Sequence, residues 1–274
     1  MKYLDPKADL TFKKVFGEHP DLVISLLNAL LPLEKGDEIQ SIEYLTPEMV
    51  PETPTRKNSI VDVRCKDMKG RQFLVEMQMI WSSEFKQRVL FNASKAYVRQ
   101  LDSKENFKLL QPVYSLNLVD AVFEPDVNTY YHYYRLVHEQ YSNKIIDGLH
   151  LVFVELPKFK PVTYAEKKMQ VLWLRFLSEI DEKTREVPDE LLDNPEIKKA
   201  LDIVEQSAFS DVQLTAYEKF WDSVRVERAL TDGVREEAER NKAIEITRNL
   251  KAMGLSVKDI AQATGLSEEE ITKI

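Results

Sequence analysis

Apolar residues recur along this chain at two different periods, and the change from one to the other divides it. In PDLVISLLNALL (20–31) they fall at helical spacing behind Pro20, a residue suited to a helix start. EIQSIEYLTPEMV (38–50) reads as one extended segment ending near Pro51. SIVDVRCKDMKGRQFLVEMQ (59–78) reads as two β-branched arms around a turn, and SSEFKQRVLFNASKAYVRQL (82–101) as an amphipathic helix. Three strand-like runs follow, PVYSLNLVDAVF (112–123), TYYHYYRLVHEQ (129–140) and LHLVFVEL (149–156), with turns expected at Pro125, Asn143 and Gly148. Helix, strand, hairpin, helix, then strands is the order of a mixed α/β domain over residues 1–160.

Beyond Pro161 the period is helical throughout. AEKKMQVLWLRFLSEI and PDELLDNPEIKKALDIVEQSAF form a helical region over 161–232, expected to pack on the core. The long run from Asp211 to Gly254 is also helical in pattern, with Gly233 as its expected interruption. A third part, 233–274, combines the end of that helix with a small repeat, GLSVKDI and GLSEEEI, eleven residues apart. Ser256 with Asp259, and Ser267 with Glu270, have the spacing of capping boxes, and Gly254 and Gly265 supply the preceding stops. The result is a helix-turn-helix-like tail. Glu268, Glu269 and Glu270 stand where such a motif meets DNA bases and would repel phosphates, so the pattern favours self-association or partner docking over operator binding.

The hairpin poses a chemical question, because each arm carries a buried-looking acid. Alternation puts Asp62 and Arg64 on one face of the first arm, and Val61, Val63 and Cys65 on the other. In the second arm Leu74, Glu76 and Gln78 share a face, with Phe73, Val75 and Met77 opposite. A loop of Met68, Lys69 and Gly70, closed by glycine in the left-handed conformation, makes Asp67 oppose Arg71 and Asp62 oppose Glu76. Opposed carboxylates with Cα atoms ~4.5–5.5 Å apart destabilise a sheet unless something neutralises them. A shared proton, Arg64 or a hard divalent cation would serve. Mg2+ suits the last case, being held by one or two carboxylates plus substrate phosphates. Two acids on a solvated strand face are the bland alternative.

Composition narrows the setting. One cysteine, Cys65, excludes an internal disulfide and a Cys-rich zinc site, and fits a reducing, cytoplasmic compartment. MKYLDPKADLTFKK lacks the apolar core of a secretory signal, and no stretch reaches the ~18 apolar residues of a membrane span. Net charge is −8. Residues 1–160 hold 21 Lys and Arg against 22 Asp and Glu, and 161–274 hold 17 against 24. The first part is thus near neutral and can present a local basic face.

Asp62, thirteen intervening residues and then Glu76-Met77-Gln78 resemble the metal-binding signature of the PD-(D/E)XK nuclease superfamily, with Gln in the Lys position. ADLTFKKVFGEHPDLVISLLNALL, FLVEMQ and FKQRVLFNASKAYVRQL further resemble the recombination-promoting nuclease (Rpn) and transposase family, and LKAMGLSVKDIAQATGLSEEEITKI is similar to endings found there. The resemblance covers residues 1 to about 125 well and the rest loosely. It implies a restriction-endonuclease-like α/β fold, a mixed sheet flanked by helices, followed by the all-helical part. It also implies a DNA endonuclease using Mg2+, with Mn2+ as a substitute, held by Asp62, Glu76 and the main-chain carbonyl of Met77. Gln78 would align the attacking water but brings no charge. Arg88, on the following helix one turn from Asn92 and two from Lys95, is the candidate for the missing cation. Asp9 completes or supports the site, or simply caps a helix.

Other residues read as structural. The tyrosines of TYYHYYRLVHEQ could stack bases, yet suit better a sheet surface packed under helices. His132 and His138 stand too far apart for a two-His metal site, and Cys65 reads as core. A non-catalytic interaction protein on a nuclease-like scaffold, and a DNA-binding regulator acting through the tail, are the competing readings. The long helix from Asp211 is compatible with a homodimer.

Overall fold

A computed structural model describes residues 2–49, 59–101, 105–161 and 168–274. Two helices open it, α1 (Asp9–Phe16) and α2 (Pro20–Leu30). The strands are β1 (Ile42–Tyr44), β2 (Glu48–Met49), β3 (Ser59–Ile60), β4 (Val63–Asp67) and β5 (Gln72–Gln78), then, after α3 (Phe85–Val98), β6 (Val113–Val119), β7 (Tyr131–Val137) and β8 (Ile145–Glu155). Helices α4 (Lys168–Glu179), α5 (Asp189–Leu192), α6 (Pro195–Ile203), α7 (Asp211–Ala252), α8 (Val257–Thr264) and α9 (Glu268–Lys273) complete the chain.

Six strands form one mixed sheet in the order β1-β4-β5-β6-β8-β7, while β2 and β3 pair separately. β5, β6 and β8 run parallel, with β6 reached from β5 through α3. All seven residues of β6 are buried, as expected for a strand covered on both faces. The period of two sorts the core cleanly. Phe73, Val75, Tyr114, Leu116, Leu118, Val152 and Val154 face a cluster with Phe12, Leu26, Trp173 and Leu201 of α1, α2, α4 and α6. Leu74, Val113, Val119 and Phe153 point the other way, onto Phe85, Val89, Ala93 and Ala96 of α3. The fold is the mixed sheet flanked by helices that the sequence implies.

The hairpin register follows its loop. Gly70 has φ +83°, the Asp67 N–H donates to the Arg71 carbonyl at 3.1 Å, and Val63 opposes Val75. The Asp67 carboxylate fastens the turn, accepting from the N–H groups of Lys69 and Arg71 and from Arg71 Nε.

Four local expectations are corrected. The segment 38–50 is not one strand: β1 joins the main sheet and β2 pairs with β3. Val61 does not share a face with Val63, because the chain leaves the β5 ladder there to follow β2; its N–H reaches the Pro47 carbonyl at 3.4 Å, and its side chain packs with Met49 and Leu74. Gly148 lies inside β8 rather than at a turn, and a Cβ there would rest in ordinary contact with the Tyr97 ring of α3 at 3.4 Å. Gly233 does not interrupt α7, since one helical glycine costs only about 1 kcal/mol against alanine. The helix α1 adds an element the periodicity did not signal.

The chain forms two compact units, Met1–Trp221 and Asp222–Ile274. In the second, α8 and α9 are joined at Gly265 (φ +71°), and Ser256 and Ser267 cap them through the Asp259 and Glu270 N–H groups, as the repeat predicts. Ile260 and Ile271 are buried, Lys251 Nζ donates to the Ile271 carbonyl, and Arg240 pairs with Glu270 at 3.0 Å. Among the described residues no helix is long and apolar enough to cross a membrane.

At the end of β8, Glu155 is fully enclosed and accepts from the Phe123 and Glu124 N–H groups, His132 Nε2 and Lys158 Nζ. Burial opposes its charge, but these donors outweigh it and hold the carboxyl below its usual range. A carboxylate depressed in the folded state contributes stability above its unfolded pKa and loses it as pH falls through the folded value. Glu155→Gln should therefore lower stability in urea unfolding at pH 7. The gap to wild type should close below about pH 4. A gap independent of pH would refute the ionic account.

Candidate active site

The break after Val61 is what builds the site. In the β4–β5 ladder hydrogen-bonded pairs alternate, so after Asp67/Arg71 and Val63/Val75 the next bonded pair would be Val61/Met77. Val61 has turned to Pro47 instead. Into its place comes Asp62, whose Oδ2 accepts the Met77 N–H at 2.7 Å. A side-chain carboxylate thus stands where a ladder carbonyl would be. The Met77 carbonyl lies on the same strand edge, its ladder donor drawn away to Pro47.

Glu76 projects to the α3 side and is only 6% exposed. Asn92 Nδ2 donates to its Oε1 at 2.9 Å, and Arg88 lies 3.6 Å from its Oε2. The same guanidinium donates to Gln78 Oε1 at 2.6 Å, while Gln78 Nε2 donates to the Ile80 carbonyl. Arg88 rests on the Phe85 ring, 4.8 Å from its centroid, which limits where the fork can swing.

Electrostatically the two acids are short of positive charge. Burial pushes the Glu76 carboxyl up, the Asn92 bond and Arg88 pull it down, and the charge of Asp62 adds to the rise; the net is upward. Asp62 is likewise raised, chiefly by burial, against the Met77 N–H and the charge of Lys13, with Asp9 raising it and Arg88 opposing. Lys13 and Asp9 pair at 2.6 Å on α1. Asp9 does not cap its helix: Ala8 holds the cap position, and Asp9 is the first helical residue.

Asp62, Glu76, Met77, Gln78 and Arg88 therefore meet at the carboxyl-terminal end of β5, in contact or electrostatic reach of one another. Arg64 does not join them; it turns to Gln72 and the Thr46 carbonyl. His132 is taken by Glu155, and His138 lies beyond the end of β7 after a bulge at Arg135/Leu136, so the two histidines do not meet. Tyr130, Tyr131 and Tyr133 pack against the main core rather than forming an open platform. Cys65 is buried, its thiol pushed up to about 12 by burial. Asn92 was legible only as a polar residue one turn past Arg88; its bond to Glu76 needed the helix docked on the sheet. Lys13 lies in the amino-terminal stretch that carries the family resemblance, but nothing in the sequence ties it to Asp62.

A family model described as PD-(D/E)XK nuclease family transposase matches residues 6–228. The chain belongs to this family. No curated protein and no solved structure matches it. PD-(D/E)XK nucleases generally use divalent metals. Among the described residues no three His, Cys, Asp or Glu side chains converge as a metal cluster. The donors present are instead two charge-deficient carboxylates and a carbonyl on a strand edge that has lost its ladder donor. All are hard oxygen ligands, the set that fits Mg2+, which keeps waters and substrate phosphates in its remaining positions.

Asp62→Asn keeps an oxygen for the Met77 N–H but removes the charge. It should fold normally in chelator and lose the rise in Tm that Mg2+ or Mn2+ gives wild type. That rise corresponds to roughly 2.7 kcal/mol at a hundredfold excess over Kd. Asp62→Ala also strands the N–H and should lose a further ~1–3 kcal/mol. An equal metal shift in wild type and Asp62→Asn would count against the site.

Proposed function

We propose that this chain is a Mg2+-dependent DNA endonuclease, hydrolysing phosphodiesters at the carboxyl-terminal end of β5. The observation that carries the reading is Asp62 seated in the broken ladder beside Met77, with Glu76 next to it on the α3 side. Membership of a nuclease family supports it. Asp62, Glu76 and the Met77 carbonyl would hold the ion. When bound, it supplies charge stabilisation at the phosphate and lowers the pKa of coordinated water.

The remaining roles fall to the chain itself. Asn92 fixes the Glu76 carboxylate so that one oxygen faces the site. Arg88 brings a planar cation to the phosphate oxygens on which charge grows, the part a lysine plays where the motif has one. Gln78, with its carbonyl on Arg88 and its amide on Ile80, serves as the holder of that cation rather than as the aligner of water. Water adds to phosphorus, the leaving sugar oxygen takes a proton, and the products are a hydroxyl and a phosphate monoester.

Plasmid incubated with Mg2+ or Mn2+ should be nicked by wild type and left intact by Glu76→Ala. Arg88→Ala should lower kcat by roughly 10²–10³, and Arg88→Lys should recover part of the loss. Equal cutting by wild type and Glu76→Ala, or none with any divalent metal, rejects the enzyme in favour of a non-catalytic interaction protein.

We further infer self-association through the second unit, where Val226, Leu230 and Val234 are exposed at a spacing of four on α7. Light scattering on the full chain should give a dimer that Leu230→Glu dissociates; a monomeric wild type rejects the inference.

A further inference from the structure

Arg88, Phe91 and Lys95 recur on α3 at spacings of three and four, so they share one stripe of the helix. Both ends of that stripe are tied to the strands around the acids. Arg88 reaches Gln78 and Glu76. Lys95 Nζ donates to the Met49 carbonyl, and Met49 packs with Val61, the neighbour of Asp62. Phe91 stands between these two anchors. Its residue is 45% exposed, and Lys95 Nζ lies 5.8 Å from its ring centroid. The core side of α3 is already filled by Phe85, Val89, Ala93 and Ala96. A large ring has thus been left at the rim of the site, between two cations, with no part in the clusters that the described residues form beneath it. An aromatic face for a base, with cations for the flanking phosphates, is the chemistry that holds unpaired nucleotides.

We propose that Phe91 is a positioning residue that stacks an unpaired nucleobase beside the scissile phosphate, so that the chain selects locally unpaired DNA over intact duplex. This rests on the nuclease reading and gives its substrate class. A fixed ring on a helix surface meets a base only where that base is already free of its own stack, because extrusion from a duplex costs stacking and pairing energy.

The test uses the full chain in EDTA with a single-stranded oligonucleotide carrying 2-aminopurine, and with its matched duplex. Wild type should bind the single strand more tightly and quench its fluorescence. Phe91→Ala should weaken that binding by about 5- to 150-fold and abolish the quench, Phe91→Trp should restore both, and duplex affinity should change by less than about twofold. Equal loss on both substrates, or no loss on either, overturns the proposal. With Mg2+ present, Phe91→Ala should raise KM for the single strand and leave kcat in place; a fall in kcat alone also overturns it. If wild type cuts neither substrate, the nuclease reading fails, and the EDTA experiment still decides the role of Phe91.

Discussion

One hydrogen bond organises the centre of this molecule: the Met77 N–H donating to the carboxylate of Asp62. A buried N–H must find an acceptor, and in a regular hairpin it would find the backbone of Val61. Because Val61 has gone to Pro47, the acceptor is an ionisable side chain. The sheet thereby holds a carboxylate at a fixed point on the edge of its central strand. On the proposed reading stability and chemistry are coupled here, since the group that completes the ladder is the group that would bind the ion.

The rest of the fold supports that point. β5 lies between antiparallel β4 and parallel β6, with the main core on one face and α3 on the other. Burial on both faces leaves its carboxyl-terminal end as the place where polar groups can be presented. Glu76 is kept there at a cost, because desolvation raises its pKa and the donors around it only partly compensate. Uncompensated charge of this kind is common at functional sites and rare where only stability is at stake. α3 answers it from above with Asn92 and Arg88, one turn apart on the helix.

On the proposed reading the cation of the site stands on α3 rather than on β5. At position 78 the chain has glutamine, whose Oε1 accepts a hydrogen bond from Arg88. Arg88 retains a flat, permanently charged fork about half exposed to solvent, with its position limited by Phe85 below and Gln78 beside it.

The period of two over 63–78 and the length of the Met68–Gly70 loop determined the register from Asp67/Arg71 to Val63/Val75. The spacing marked Asp62 and Glu76 as a pair of acids, but the ladder ends before Asp62, which meets the Met77 N–H instead of facing Glu76 across the strands. The helical periods, the two serine caps and their glycine stops likewise follow from residue types whose preferences act over a turn or less. What needed the tertiary structure was every interaction between elements distant in sequence: Val61 drawn to Pro47, Lys13 brought near Asp62, Asn92 lowered onto Glu76, Gly148 set against Tyr97. Local pattern says which face of an element is buried. It is silent on which partner covers that face, because the partner is chosen by packing the whole core at once, and a site assembled from a strand edge and a docked helix exists only after that choice.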